Sequence, residues 1–435
     1  MIAFNSTIPP RRTFGLVSTL AAGLLFAACG DGTSAGPDKS NSATTATAAL
    51  TAPTASVSTT APSEPSGAPG ASAPTPETSA SAPAPSASAS GEPVASATST
   101  STAAPTAGPV SKGFAIPSPK SGVLTVAEAD KLAPSGSKPK IKLLDAGKDP
   151  LNSLAYAPTK GETVGLRLDL SQKVAIAAEG QTAPAVLSPP QSLDVDVTTE
   201  DASETSALVA MLLKNINLAP VDGLDKETLG ELTKQLGGLR GYAMRSRISS
   251  KGETSDVKVD MPLTAPKGSE MLVTSMGAVF RMLLPVFPSE SVGTGAKWQV
   301  LSREDHAGAS VVQLVEYTLK ERGEHTCTID MKSRQLAAGD NVKLPTGTPL
   351  GVTTKLTKFT TTSTGQFVFD LRQMAPTKGK ITQDSKLGLD VFATGQLGTK
   401  MKTEADMKMT VTISRRAGSA SPATTAAPSA APTAK

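Results

Sequence analysis

Val164-Gly165-Leu166-Arg167-Leu168-Asp169-Leu170 puts an apolar side chain at every second position, with Gly, Arg or Asp between them. Successive side chains of a strand point to opposite faces, so this stretch is a strand with one face on a core and the other in water. Leu193, Val195 and Val197 repeat the pattern around Asp194 and Asp196, after a break at Pro189-Pro190. Strands buried on both faces would read as unbroken apolar runs, so these belong to an antiparallel sheet with one solvated face.

The same period extends outward. Upstream, Ile141-Lys142-Leu143-Leu144 is a strand ahead of a turn from Asp145 to Pro150. Downstream, Tyr242 to Ile248 and Val257 to Met261 form a hairpin around Ser249 to Ser255. Val315, Tyr317 and Leu319 alternate before a turn at Glu321-Arg322-Gly323, and His325, Cys327, Ile329 and Met331 share one face of the returning strand. Thr354 to Thr361 and Gln366 to Arg372 read as two strands around a Thr362-Ser363-Thr364-Gly365 turn. Lys386 to Phe392, Gly398 to Lys402 and Met407 to Ile413 complete a strand-rich end.

Helical signals interrupt this pattern at four places. Thr125 followed by Glu128 is a capping box for a short helix ending before Pro134. Asp201 with Glu204 predicts a helix carrying Leu208, Met211, Leu212 and Ile216, and Asp225 predicts a second with Leu229, Leu232 and Leu236, ending at Gly237-Gly238. Glu270 to Leu284 is the most apolar helix, with Leu272, Met276, Val279 and Leu283 as its stripe and Met271, Phe280, Met282 and Leu284 widening it. Pro285 and Pro288 end it. The expected fold class is therefore α+β: a large twisted antiparallel sheet, half-barrel-like, curling around this helix and the helices inserted from Ser203 to Leu236.

Composition divides the chain. Between Lys39 and Lys112 the only charges are Glu64, Glu77 and Glu92 in a background of Ala, Ser, Thr, Pro and Gly, and the composition returns over 417–435. Such segments bury too little apolar surface to offset the entropy of ordering and are expected to be a disordered tether and tail. For about 75 residues the tether would reach on the order of 50 Å as a coil, or roughly 230 Å fully extended. Residues 113–416 remain as the globular domain. The net charge is +4 and aromatic residues are 3% of the chain, with basic and acidic residues interspersed, so neither a phosphate-binding stripe nor a base-stacking platform is present and no nucleic-acid partner is expected.

The address is written at the start. Arg11-Arg12 precedes an uncharged apolar run from Thr13 to Phe26 that is short for spanning a bilayer and ends in small residues, the layout of an export signal. Phe26-Ala27-Ala28-Cys29 resembles the processing site of bacterial lipoproteins. That resemblance implies removal of residues 1–28 and lipidation of Cys29, which would hold the protein to a membrane without crossing it. Gly30 after the cysteine fits outer-membrane sorting under the rule for enteric lipoproteins, while Asp31 leaves the leaflet open. Cys327 is then the one thiol left, so no intrachain disulfide is possible and burial is expected for it.

A second resemblance lies after the apolar helix. Pro288-Ser289-Glu290-Ser291-Val292-Gly293-Thr294-Gly295-Ala296-Lys297-Trp298 resembles the Pro-x-Glu-x-Val-Gly-x-Gly-x-x-Trp turn of an uncharacterised family of bacterial lipoproteins common in myxobacteria. In that family the turn leads into meandering strands, and the resemblance brings no activity with it. Read mechanically, the glycines permit a tight turn and Trp298 caps a core edge. The outline is also similar to the half-barrels of lipoprotein-carrier and mycobacterial lipid-binding lipoproteins.

Reaction chemistry is sparse. Ser135-Gly136-Ser137-Lys138 matches a Ser-x-x-Lys pattern, but Pro134 and Pro139 bracket it in a loop. The chain has two histidines: His306 reads as a hairpin residue, and His325 with Cys327 supplies two of the four ligands that a structural zinc needs. No catalytic residue, metal or cofactor is expected. The leading reading is a non-enzymatic envelope lipoprotein binding a lipid or other aliphatic ligand, with Leu272, Met276, Val279, Phe280 and Leu283 as candidate contacts. The alternative is a structural or protein-interaction module with a filled core.

Overall fold

The computed structural model describes residues 111–416 apart from 180, 183–185, 267–268, 270–275, 278, 307, 345–350 and 394–398. The signal, Cys29, the tether and the tail lie outside the described residues. The elements in order are β1 Val123–Leu124, α1 Val126–Leu132, β2 Lys140–Asp145, β3 Lys148–Ser153, β4 Thr163–Ala178, β5 Gln181–Thr182, β6 Val186–Ala202 and β7 Ser206–Leu218. They continue with α2 Lys226–Gly237, β8 Ala243–Ser249, β9 Thr254–Asp260, β10 Ser291–Thr294, β11 Lys297–His306, β12 Ala309–Arg322, β13 Thr326–Ala338, β14 Val352–Asp370, β15 Pro376–Ala393 and β16 Thr399–Arg415.

One 14-stranded sheet dominates, in the order β2-β11-β12-β13-β14-β15-β16-β4-β6-β7-β8-β9, with β1 added to β13 and β5 to β4. Every ladder on that path is antiparallel. It consists of two meanders zipped together by β16 and β4, with Arg415 opposite Leu166 and Thr403 opposite Ala178. The half of the chain before the helices and the half after them thus share one surface. A second, two-stranded sheet pairs β10 with β3. The architecture is mostly antiparallel β, and the helical share of the α+β expectation is reduced to short elements.

Three readings of the sequence are corrected. The helix expected from Asp201 is the strand β7, in which Ala207, Val209, Met211 and Leu213 face the core at a period of two. A bulge in the β6 ladder shifts the register there, so Ile216 also points inward, and the combined 208, 211, 212, 216 spacing imitates a helix. Pro189-Pro190 does not break β6. These prolines sit where the register slips between Leu170 and Gln172 and are paired neither to β4 nor to β7, so no ladder N–H is missed. The expected turn at Thr362 to Gly365 is the middle of the single strand β14, paired on both sides to β13 and β15, and 398–413 likewise lies on one strand as far as it is described.

Other expectations hold. Thr125 caps α1 with a complete capping box: its Oγ1 accepts from the Glu128 N–H at 3.2 Å, and its own N–H donates to Glu128 Oε2 at 2.8 Å. Asp225 caps α2 in the same role. The hairpin β8–β9 is as read, and Cys327 is a free, buried thiol.

One end of the concave face is closed by aromatic rings. Tyr156 stacks on Phe287 at 4.7 Å, Phe287 meets Trp298 edge-on at 6.4 Å, and Trp298 stacks on Tyr317 at 5.4 Å. Trp298 is wholly buried and its indole N–H donates to the Val286 carbonyl at 2.8 Å. The glycine-bearing turn places it there. A Cβ at Gly293 would stand 1.8 Å from the Lys148 carbonyl oxygen, so only glycine lets β10 lie this close to β3, and Gly295 takes φ +90°. Arg322 then clamps the small sheet by donating to the Asn152, Ser153 and Val292 carbonyls at 2.8–3.0 Å.

Candidate functional site: the concave face

Tracking the inner face along the strands gives apolar, polar, apolar. Beside the closed end lie Phe367 on β14, Ile381 on β15 and Val411 and Ile413 on β16, all buried. At the far end a separate apolar cluster holds Val311, Leu356, Phe359, Leu387, Leu389 and Ala405. Between them runs a belt two rungs deep. The first rung is Gln313, Gln335, Thr361, Ser385 and Met407; the second is Ser333, Ser363, Gln383, Met409 and Gln172. Each of these is at most 8% exposed.

Burying amides and hydroxyls is costly unless they find partners. Here the cross-strand register supplies most of them. Gln335 Nε2 donates to Gln313 Oε1 at 2.9 Å, Ser363 Oγ to Gln383 Oε1 at 3.3 Å, and Gln383 Nε2 to Ser385 Oγ at 3.2 Å. Thr361 Oγ1 donates to Ser385 Oγ at 3.0 Å. Ser333 Oγ is buried without a partner among the described residues. The Thr362-Ser363-Thr364-Gly365 run that reads as a turn is therefore half belt and half solvated face of one strand.

Above the belt the face is hollow. Its cavity has a volume of about 100 Å³, room for roughly seven to ten water molecules. Sheet residues from β4, β6, β7 and β14 to β16 form its walls, with Leu236 of α2 at one side. Residues 276, 277 and 279–282, the described part of the apolar helix, lie across it. Met276, Val279, Phe280 and Met282 line it.

Of the expected contacts, Met276, Val279 and Phe280 come together on the cavity. Leu283 is buried in the main core but does not line the cavity; Leu272 lies outside the described residues. Two contributions escaped the sequence. The belt residues Thr361, Gln383 and Ser385 line the cavity, and so does His306, whose hairpin position opposite Ala309 is as read but whose ring reaches the cavity rim. Burial and the Arg281 guanidinium lower the His306 pKa below its usual value, so the ring is neutral at neutral pH. Arg281 itself is paired with Glu304 at 3.4 Å.

None of the lining residues is Asp, Glu, Lys or Arg. Among the described residues no group of three or more His, Cys, Asp or Glu side chains is placed to hold a metal. His325 stands on the exposed side of the β13 start, half exposed and 3.5 Å from Glu324, away from the buried Cys327. Ser137 Oγ donates to the Pro134 carbonyl in its loop, at an exposed position. No described helix is long and apolar enough to cross a membrane.

No family model matches this chain, and no curated protein does. Solved structures give faint likenesses. The outer membrane protein OprG from Pseudomonas aeruginosa aligns at 7% identity and TM-score 0.18, covering 59% of this chain and 97% of that one. The CymD monoaromatic hydrocarbon channel aligns at 9% and 0.14, covering 59% and 89%. The Pseudomonas putida toluene transporter TodX aligns at 10% and 0.13, covering 59% and 90%. At such scores the likeness carries no argument about function.

Proposed function

We propose that this chain is a non-enzymatic lipoprotein of the bacterial cell envelope, anchored through Cys29, whose concave sheet holds an aliphatic ligand. The observation that carries this reading is the uncharged cavity between the belt and the helix, walled by Leu, Ile, Val, Met and Phe side chains. Ligand sites are concave and mostly apolar, with a few placed polar groups, and this cavity has that character. The anchor rests on the Phe26-Ala27-Ala28-Cys29 signal, and the outer membrane is the better fit to Gly30.

Delipidated protein refolded with radiolabelled phospholipid tests the cavity: label should stay with the protein through gel filtration, and complete loss of label would leave a scaffold. Mass spectrometry of the mature N-terminus tests the anchor, with an acylated Cys29 expected and a free Cys29 thiol fatal to it.

A further inference from the structure

The belt points to what the cavity prefers. Thr361 and Ser385 face each other across β14 and β15, and both line the cavity. Two hydroxyls carry two protons, and the bond between them uses one. Ser385 also accepts from the Gln383 amide, so its oxygen is already well supplied with donors. No acceptor for the second proton stands among the described residues. The pair is at most 6% exposed and lines the cavity, so a molecule there lies within reach of that proton.

The surroundings narrow the partner further. Phe359 and Leu387 lie one rung beyond the pair, and Ile381 and Val411 lie on the far side of the Gln383 rung. A molecule in the cavity therefore meets apolar walls in both directions with a hydrogen-bond donor between them. No lining residue is Lys or Arg, the Arg281 that acts on His306 is held by Glu304, and His306 is neutral, so a buried carboxylate would have no counter-charge. An ionised group left unpaired in an apolar site is disfavoured far more than a neutral carbonyl.

Building on the carrier reading, we propose that the cavity selects an uncharged aliphatic molecule with an acceptor oxygen part-way along it, of the acyl ester class. The Thr361–Ser385 hydroxyl pair donates to the ester carbonyl, and the two apolar walls take the chains on either side.

The test uses the full chain and three probes of similar length, octyl nonanoate (whose ester lies mid-chain), heptadecane and palmitate at pH 8, each equilibrated from a cyclodextrin pool. The native protein is compared with the Thr361→Val/Ser385→Ala double variant. Loss of one neutral hydrogen bond should weaken octyl nonanoate by roughly 2- to 12-fold while heptadecane holds or gains. Palmitate should bind the native protein at least about 10-fold more weakly than the ester, because its charge finds no partner. Thr361→Ser with Ser385 intact should restore the ester preference. Equal weakening of ester and alkane, or palmitate as tight as the ester, overturns the assignment while leaving an aliphatic carrier in place. No binding of any probe overturns both readings.

Discussion

The closed end and the belt border the same inner face of the sheet, yet they are built on opposite plans. At the closed end Tyr156, Phe287, Trp298, Tyr317, Phe367 and Phe369 fill the space, and what stabilises it is dense contact among large rings. At the belt the side chains are short amides, hydroxyls and thioethers that bond sideways to one another and leave the middle of the face open. Packing saturates the first region, so it has nothing left to offer a ligand. The second trades rings for directed bonds and keeps a space, a free donor and apolar walls.

The sharpest way to break this contrast is to empty the closed end. Trp298→Ala removes a fully buried indole, two ring contacts and the bond to the Val286 carbonyl, and should cost about 3–5 kcal/mol in urea unfolding. A loss below about 1 kcal/mol would mean that this end is no more tightly packed than the rest.

A smaller effect should appear on the alkaline side. Burial pushes the Cys327 thiol from an ordinary value of 9.0 up to about 12, so the native state keeps a proton that the unfolded chain has released. Stability therefore falls as pH rises from 9 to 12, at about 1.4 kcal/mol per pH unit, or about 2 kcal/mol by pH 10.5. Burial also raises the Tyr156 and Tyr317 hydroxyl pKa values, which adds to the fall above their ordinary value of 10.0. Urea titrations at pH 8 to 10.5 should show a shallower decline in Cys327→Ala than in the native protein. Identical slopes would mean that water reaches the thiol.

The belt should respond less than the closed end. Thr361→Val/Ser385→Ala removes both hydroxyls of one pair but leaves the buried Gln383 Nε2 donor without Ser385 Oγ, so unfolding should shift by about 1–2 kcal/mol. A loss comparable to that of Trp298→Ala would make the belt a structural staple, and the distinction between the two regions would fall.

Legibility followed the range of the interaction. The 164–170 alternation and the α1 and α2 caps depend on neighbours a few residues apart, so their patterns survive in one dimension. The strand β7 did not, because a bulge opposite its register put inward residues at helical spacing. The Thr362 to Gly365 run failed for a related reason: polar residues are a turn signal only when no partner strand waits across the sheet. Met276, Val279 and Phe280 were legible as an apolar stripe, whereas Thr361, Gln383, Ser385 and His306 carried no local mark of facing a cavity.

Period and composition alone thus indicated an antiparallel sheet with one wet face and carried no evident reaction motif. Which strands are neighbours, where the aromatic end closes and where a polar belt borders an open space were decided by the tertiary structure. The reason is that cross-strand register joins residues such as Gln172 and Met409 that are far apart in the chain, and it is register that turns scattered Ser, Thr and Gln into one bonded belt.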